Sequence, residues 1–197
     1  NPFRARDIEV EAQGNRLIFG VAHEDEPRYI IFEPTTALTA EALGRIENQN
    51  LHGLQEVDYL IVYHPDFEEP VARLAEHRSN HSNDRVATAR VDQVFNEFSS
   101  GKTDPTAIRD LSRLLYQRSD RFRYLLLVGD GSFDYRHIYT DFNNESFIPV
   151  YETEESYHPI LAYPSDDYFA LLDDHEGGSI RGALDIAVGR FPVRTED

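Results

Sequence analysis

VDYLIVYHPDFEEP, residues 57–70, opens as an unbroken apolar run and closes as a helix start. Eight residues without polar alternation are what a strand buried on both faces of a parallel sheet requires. Asp66 and Glu69 stand at capping-box spacing, so Asp66 is expected to cap a helix with Pro70 in its first turn. Phe67, Val71, Leu74 and Ala75 make one apolar stripe on that helix, which is expected to end near Asn80 to Asn83.

Downstream the pattern repeats. Residues 85–91 read as a second strand. Asp92 is expected to cap a short helix carrying Val94, Phe95 and Phe98, stopped at Ser99-Ser100-Gly101. Asp104-Pro105 starts another helix, with Ile108, Leu111, Leu114 and Leu115 on one face, running to about Gln117. YLLLVGD, residues 124–130, is the third strand. Strand, helix, strand, helix, strand defines a βαβαβ unit with helices on the sheet faces. Residues 137–164 are aromatic and irregular, with Pro149, Pro159 and Pro164, and a last strand is expected over Ala183 to Val188, running into Gly189-Arg190-Phe191-Pro192.

Upstream the period changes to two. Ile8 and Val10, then Leu17, Phe19 and Val21, then residues 28–32, read as three short antiparallel strands, the first two joined at Gly14-Asn15. Residues 35–54 read as a connector with a short helix around Thr39 to Leu43. The expected division is therefore 1–44, the end of a preceding β-rich region, and 45–197, an α/β domain. The fold class is α/β, a mostly parallel flavodoxin-like sheet flanked by helices and preceded by a short antiparallel β segment. A chain that opens on Asn1 and contains no methionine is expected to be an internal piece of a longer protein.

Composition narrows the function. A net charge of −17 repels polyanions, so nucleic acid and anionic membrane are disfavoured partners. No apolar run is long enough for membrane insertion, and no signal peptide is visible. With no cysteine, disulfides, thiolate metal sites and a thiol nucleophile have no position in these 197 residues. The charge otherwise describes a strongly solvated surface.

Three constellations could carry chemistry. Asp130 and Asp134 flank the glycine-hinged end of the third strand, where ligands bind in open α/β sheets. They could hold a cation or orient a catalytic group; alternatively, Asp130 and Ser132 could bond loop amides as turn-forming side chains. Ser132 interrupts the Asp-x-Asp pattern of an aspartyl phosphatase, and neither a phosphate loop nor a dinucleotide fingerprint is present. The second constellation is Asp166, Asp167, Asp173 and Asp174. Its oxygens suit calcium but lack EF-hand spacing, and a solvated loop is the alternative. The third is eight histidines, none in a His-Glu-x-x-His pattern. His64 ends the first buried strand, and His137 and His158 lie in the irregular segment. Ser132 could complete a triad with one of them, but there is no Gly-x-Ser-x-Gly elbow.

Five stretches in order resemble the gingipain family of cysteine peptidases. They are RIENQNLHGLQEVDYLIVYHPDF (45–67), FNEFSSGKTDPTAIRDL (95–111), YLLLVGDGSFDYR (124–136), PSDDYFALLDD (164–174) and LDIAVGRFPV (184–193). Within the family they look most like the branch serving type IX (Por) secretion as its sortase. The resemblance implies a caspase-like fold and a His–Cys dyad, with the His in a His-Gly motif and both residues following the Gly-Arg-Phe-Pro segment. His175 is followed by Glu and there is no cysteine, so no position here receives the dyad. The implied role is a non-catalytic front subdomain of an endopeptidase that cleaves C-terminal sorting domains from exported proteins. Its partners would be a downstream catalytic subdomain, protein substrates and, through an exposed strand edge, a second copy. Secretion or display at the outer membrane follows from the same resemblance, and no cofactor is required. Asp130, Asp134, Asp166, Asp167 and Asp173 are the candidate ligands of a structural calcium. A degenerate scaffold or cargo-binding module and a stand-alone flavodoxin-like domain binding an anion or nucleotide are the alternatives.

Overall fold

A computed structural model describes residues 8–20, 29–42, 44–139, 145–153, 157–158 and 160–195. Two compact units divide the chain, Asn1–Ile46 and Glu47–Asp197.

In the first unit β1 (Glu11–Gln13) and β2 (Arg16–Ile18) form an antiparallel hairpin, Glu11 opposite Ile18. Gly14 takes a φ of 65° in the turn, a conformation glycine adopts without steric cost. Two sequence expectations fail here. Tyr29–Phe32 is not a strand, and residues 39–42 are not helical; Val21, Arg28 and Leu43, which those readings included, lie outside the described residues. Both hairpin strands are exposed along their whole length, so among the described residues there is no buried face for a third strand to complete. Ile30 is accordingly 85% exposed.

The second unit is built on β3 (Tyr59–Tyr63), α1 (Glu68–Ser82), β4 (Val86–Arg90), α2 (Val91–Phe98), α3 (Pro105–Arg118) and β5 (Tyr124–Val128). It continues through the two-residue strands β6 (Tyr151–Glu152) and β7 (Pro164–Ser165) to β8 (Ala187–Phe191). β6 and β7 pair antiparallel, giving the segment read as irregular one short ladder. The main sheet runs β4-β3-β5-β8, every neighbouring pair parallel.

The unbroken apolar run is explained by what lies on each face. Leu60, Val62, Leu125 and Leu127 pack with Val94, Ile108, Leu111 and Phe169 on the α2–α3 side. Ile61, Tyr63, Leu126 and Val128 pack with Phe67, Val71 and Phe147 on the α1 side. Successive strand residues point to opposite faces, so a strand covered on both sides needs apolar residues throughout. Each such side chain stabilises the fold by about 1.5–3 kcal/mol.

The helix starts differ from expectation in detail. Asp66 lies inside a 3-10 turn, Pro65–Phe67, whose cap is His64; α1 begins at Glu68 with no side-chain cap, although Pro70 does fall in its first turn. The proline at 65 fixes the backbone one step too early for Asp66 to cap. Asp92 likewise lies in the first turn of α2, bonded to Arg90. Asp104 does cap α3, its carboxylate accepting from the Thr106 amide at 2.9 Å. The last strand is Ala187–Phe191, four residues later than expected. Asp185 accounts for the shift. Its amide donates to Ala170, and its carboxylate accepts from the Leu172 amide and the Tyr116 hydroxyl. That anchoring takes residues 183–185 out of the ladder.

Candidate functional site

The order β4-β3-β5-β8 reverses direction at β3. Its carboxyl end, with that of β5, is therefore the switch point where ligands bind in open sheets. The chain leaves β3 as Tyr63-His64-Pro65 and leaves β5 as Gly129-Asp130-Gly131, and the two exits are tied by the His64 amide donating to Val128. Gly129 has a φ of 139°, and a Cβ there would come within 2.8 Å of the Phe147 Cβ. A Cβ on Gly131 would lie 2.5 Å from Val150 and 2.9 Å from the Ile148 carbonyl oxygen. These glycines let residues 147–150 lie directly across the strand end. The amides of Phe147 and Ile148 both donate to the Asp130 carbonyl.

Arg190, on the edge strand β8, locks this arrangement. Its guanidinium makes a two-pronged bond to Asp166 at 2.8 and 2.7 Å. The same group donates to the carbonyls of Gly129 and Ile148 at 3.0 Å each, and to Pro149 at 3.2 Å. A planar, permanently charged fork can satisfy a carboxylate and several carbonyls at once; an ammonium cannot. Arg194 adds an ion pair to Asp130 at 2.6 Å.

Asp134 organises the next turn. Its buried carboxylate accepts from the amides of Ile138 and Tyr139, both at 2.8 Å. The turn so formed holds His137 at a φ of 52°, a left-handed conformation that costs a non-glycine residue of the order of 1 kcal/mol or more. His137 and Tyr135 are thereby presented to an open cleft of about 360 Å³, facing His64, Asp92, Ser146 and Phe147. The His64 ring stands edge-on to Phe147, centroids 4.8 Å apart. Its Nδ1 lies 3.4 Å from both the amide and a carboxylate oxygen of Asp66. The Arg90 guanidinium bonded to Asp92 holds that carboxyl below the usual range, and burial pushes the Tyr135 phenol up. The cleft thus combines an aromatic floor with imidazole, phenol, carboxylate and hydroxyl groups.

The five candidate calcium ligands do not converge. Asp130 and Asp166 are engaged by arginine, Asp134 by amides, and Asp167 heads a 3-10 turn with its own amide bonded to Ser165. Asp173 is exposed beside His175 and Glu176, the one group of three possible ligand atoms within 4.8 Å among the described residues. Calcium needs six or more oxygens at 2.3–2.6 Å, and to gather them at the strand end it would have to displace Arg190 and Arg194. Ser132 is buried and its hydroxyl accepts from the Asp134 amide; no histidine bonds to it among the described residues, so the triad is not assembled. Asp174 pairs with Arg113. His158 caps its own loop, accepting from Ile160 and Leu161. The residue that sequence reasoning missed is Arg190. Its signal was present: an arginine in a Gly-Arg-Phe-Pro segment at a strand, in a chain whose strand ends carry several acids.

A parallel sheet with helices on both faces and a glycine-hinged site at its carboxyl edge defines the front layer of a caspase-like α/β fold. The model of peptidase family C25 matches residues 52–197, and the chain belongs to that family, the gingipain family of cysteine peptidases. Among solved structures it is similar to dimeric latent PorU from Porphyromonas gingivalis, at 34% identity and a TM-score of 0.71 over 82% of this chain. The match covers 16% of the PorU chain. No curated protein matches the chain.

Proposed function

We propose that this chain is the front, non-catalytic subdomain of a cysteine endopeptidase that acts as a type IX secretion sortase, removing C-terminal sorting domains from exported proteins. The observation that carries the reading is the combination of membership in a cysteine peptidase family with a sequence that contains no cysteine. The thiolate and its His base, which together perform acyl transfer, come from polypeptide outside these residues. The chain itself supplies the Arg190-locked strand ends and the adjoining cleft, a rigid wall against which the catalytic half and its protein substrate rest. The likeness to PorU supports the sortase assignment, and with it a location outside the cell or at the outer membrane.

The edge strand β8 supports a role for a further partner. It pairs only with β5 among the described residues, which leaves its other edge open there. An open edge of this kind accepts another strand, either from the catalytic half or from a second copy.

The test is reconstitution. The chain alone should cleave no peptide and take no label from a thiol-reactive peptide probe. Co-expressed with the polypeptide that follows it in the parent gene, it should yield a labelled, active complex. A complex that forms but takes no label would replace the peptidase reading with a non-catalytic scaffold or cargo-binding module. Labelling of the 197-residue chain alone would refute the proposal outright.

A further inference from the structure

Two histidines on α1 lie apart from everything above. His77 and His81 are one helical turn apart and both exposed, their ring centroids 4.0 Å apart and their planes 28° from parallel. Residues four apart share one helix face; the rings lie face to face, and a turn of one exposed ring about its side-chain bonds sets both lone pairs toward one ion. His81 Nδ1 lies 3.0 Å from the His77 carbonyl oxygen. A carbonyl can only accept, so in the neutral His81 ring the proton sits on Nδ1 and the Nε2 lone pair is bare. Metal-ligating histidines are held in this way, with the second ring nitrogen donating to a backbone carbonyl or carboxylate.

We propose that His77 and His81 form a chelating site for a borderline transition-metal dication of the zinc or nickel type. Imidazole ligands favour these ions over calcium and magnesium. Neighbouring cations are directed elsewhere: Arg73 pairs with Glu69 at 3.2 Å, and Arg78 lies over the Tyr59 ring at 5.6 Å. The net charge of −17 raises the local concentration of divalent cations. The sequence His77-Arg78-Ser79-Asn80-His81 has the histidine spacing of His-Glu-x-x-His without its glutamate. The site is therefore one that binds an ion and offers no general base beside it. Two protein ligands leave the remaining coordination positions to water or to a partner's side chain.

The experiment uses the 197-residue chain, freed of metal by chelator and titrated with ZnCl2 or NiCl2. One ion should bind per chain, and metal at about tenfold above Kd should raise Tm by about 3–5 °C. His77→Asn and His81→Asn should melt like the metal-free parent and each lose the shift, whereas His175→Asn should keep it. The imidazole resonances of His77 and His81, read in the unmutated chain, should move first during titration, which keeps the test independent of how the variants fold. No shift with either ion, or a shift retained in both His77→Asn and His81→Asn, would overturn the site. Loss of the shift in His175→Asn alone would overturn it too, placing the ion on the Asp173–Glu176 loop.

Discussion

Replacing Arg190 with methionine removes the guanidinium while keeping much of its length and apolar volume. The side chain is only 10% exposed, and its partner Asp166 is 24% exposed, so little solvent can take its place. Five hydrogen bonds go at once: two to a carboxylate and three to the carbonyls of Gly129, Ile148 and Pro149. Deleting one partner of a buried pair costs about 3–5 kcal/mol, chiefly because the remaining charge is left unmatched. For a chain of this size that is a fall in Tm of about 6–20 °C. Arg190→Lys should recover the charge but not the fork, and fall between the two. Adding Asp166→Asn to Arg190→Met removes the orphaned charge, so the double variant should be more stable than the sum of the single losses by about 1–3 kcal/mol. Urea unfolding at pH 7, followed by far-ultraviolet circular dichroism, measures the parent, Arg190→Met, Arg190→Lys, Asp166→Asn and the double variant. A loss below 1 kcal/mol for Arg190→Met, or strict additivity in the cycle, would show that Arg190 does not hold the strand ends together.

Glu97 offers a pH test. Burial acts to raise its pKa, but the amides of Leu51 and His52, with the His52 ring and Gln49, bring it from 4.5 down to about 2. A depressed carboxylate contributes stability that is fully present above 4.5 and is lost as pH falls toward 2. The shift corresponds to about 3 kcal/mol at pH 7, so Glu97→Gln should lose roughly that amount at neutral pH and flatten the acid limb of a stability–pH curve. Glu152 is the opposite case. Its Oε1 is buried with no hydrogen-bond partner among the described residues, and burial pushes its pKa up. Its contribution to stability is therefore lost as pH rises above 4.5, and Glu152→Gln should raise Tm at pH 7 while leaving it unchanged at pH 4, as measured by scanning calorimetry. Millimolar CaCl2 should leave the melting temperature of the chain unchanged, because arginine and amide donors already occupy the carboxylates of Asp130, Asp134 and Asp166. A rise of several degrees would instead establish a calcium site there.

Much of the α/β domain was legible because its signals are local. The run at 57–64 is apolar on both parities, and Asp104-Pro105 contains its own cap and first turn. The failures share a cause. Asp66 and Asp92 have the chemistry of caps, but the positions of Pro65 and Arg90 in space made one a turn residue and the other an ion-pair partner. Tyr29–Phe32 has strand composition but no sheet face to complete among the described residues.

The site divides in the same way. Sequence by itself determined that a glycine-hinged acidic loop ends a buried parallel strand, that no thiol nucleophile lies in these residues, and that the chain resembles a cysteine peptidase family. Only the tertiary structure decided what the acids do. Asp130 and Asp166, 36 positions apart by number, are drawn to the same strand end by arginines on and just beyond the edge strand, while Asp134 turns inward to two amides of its own loop. The reason is physical. A carboxylate's role depends on which donors the fold brings within 3 Å of it, and no local pattern encodes arginines that arrive from 24 positions away, as at Asp166, or 64, as at Asp130.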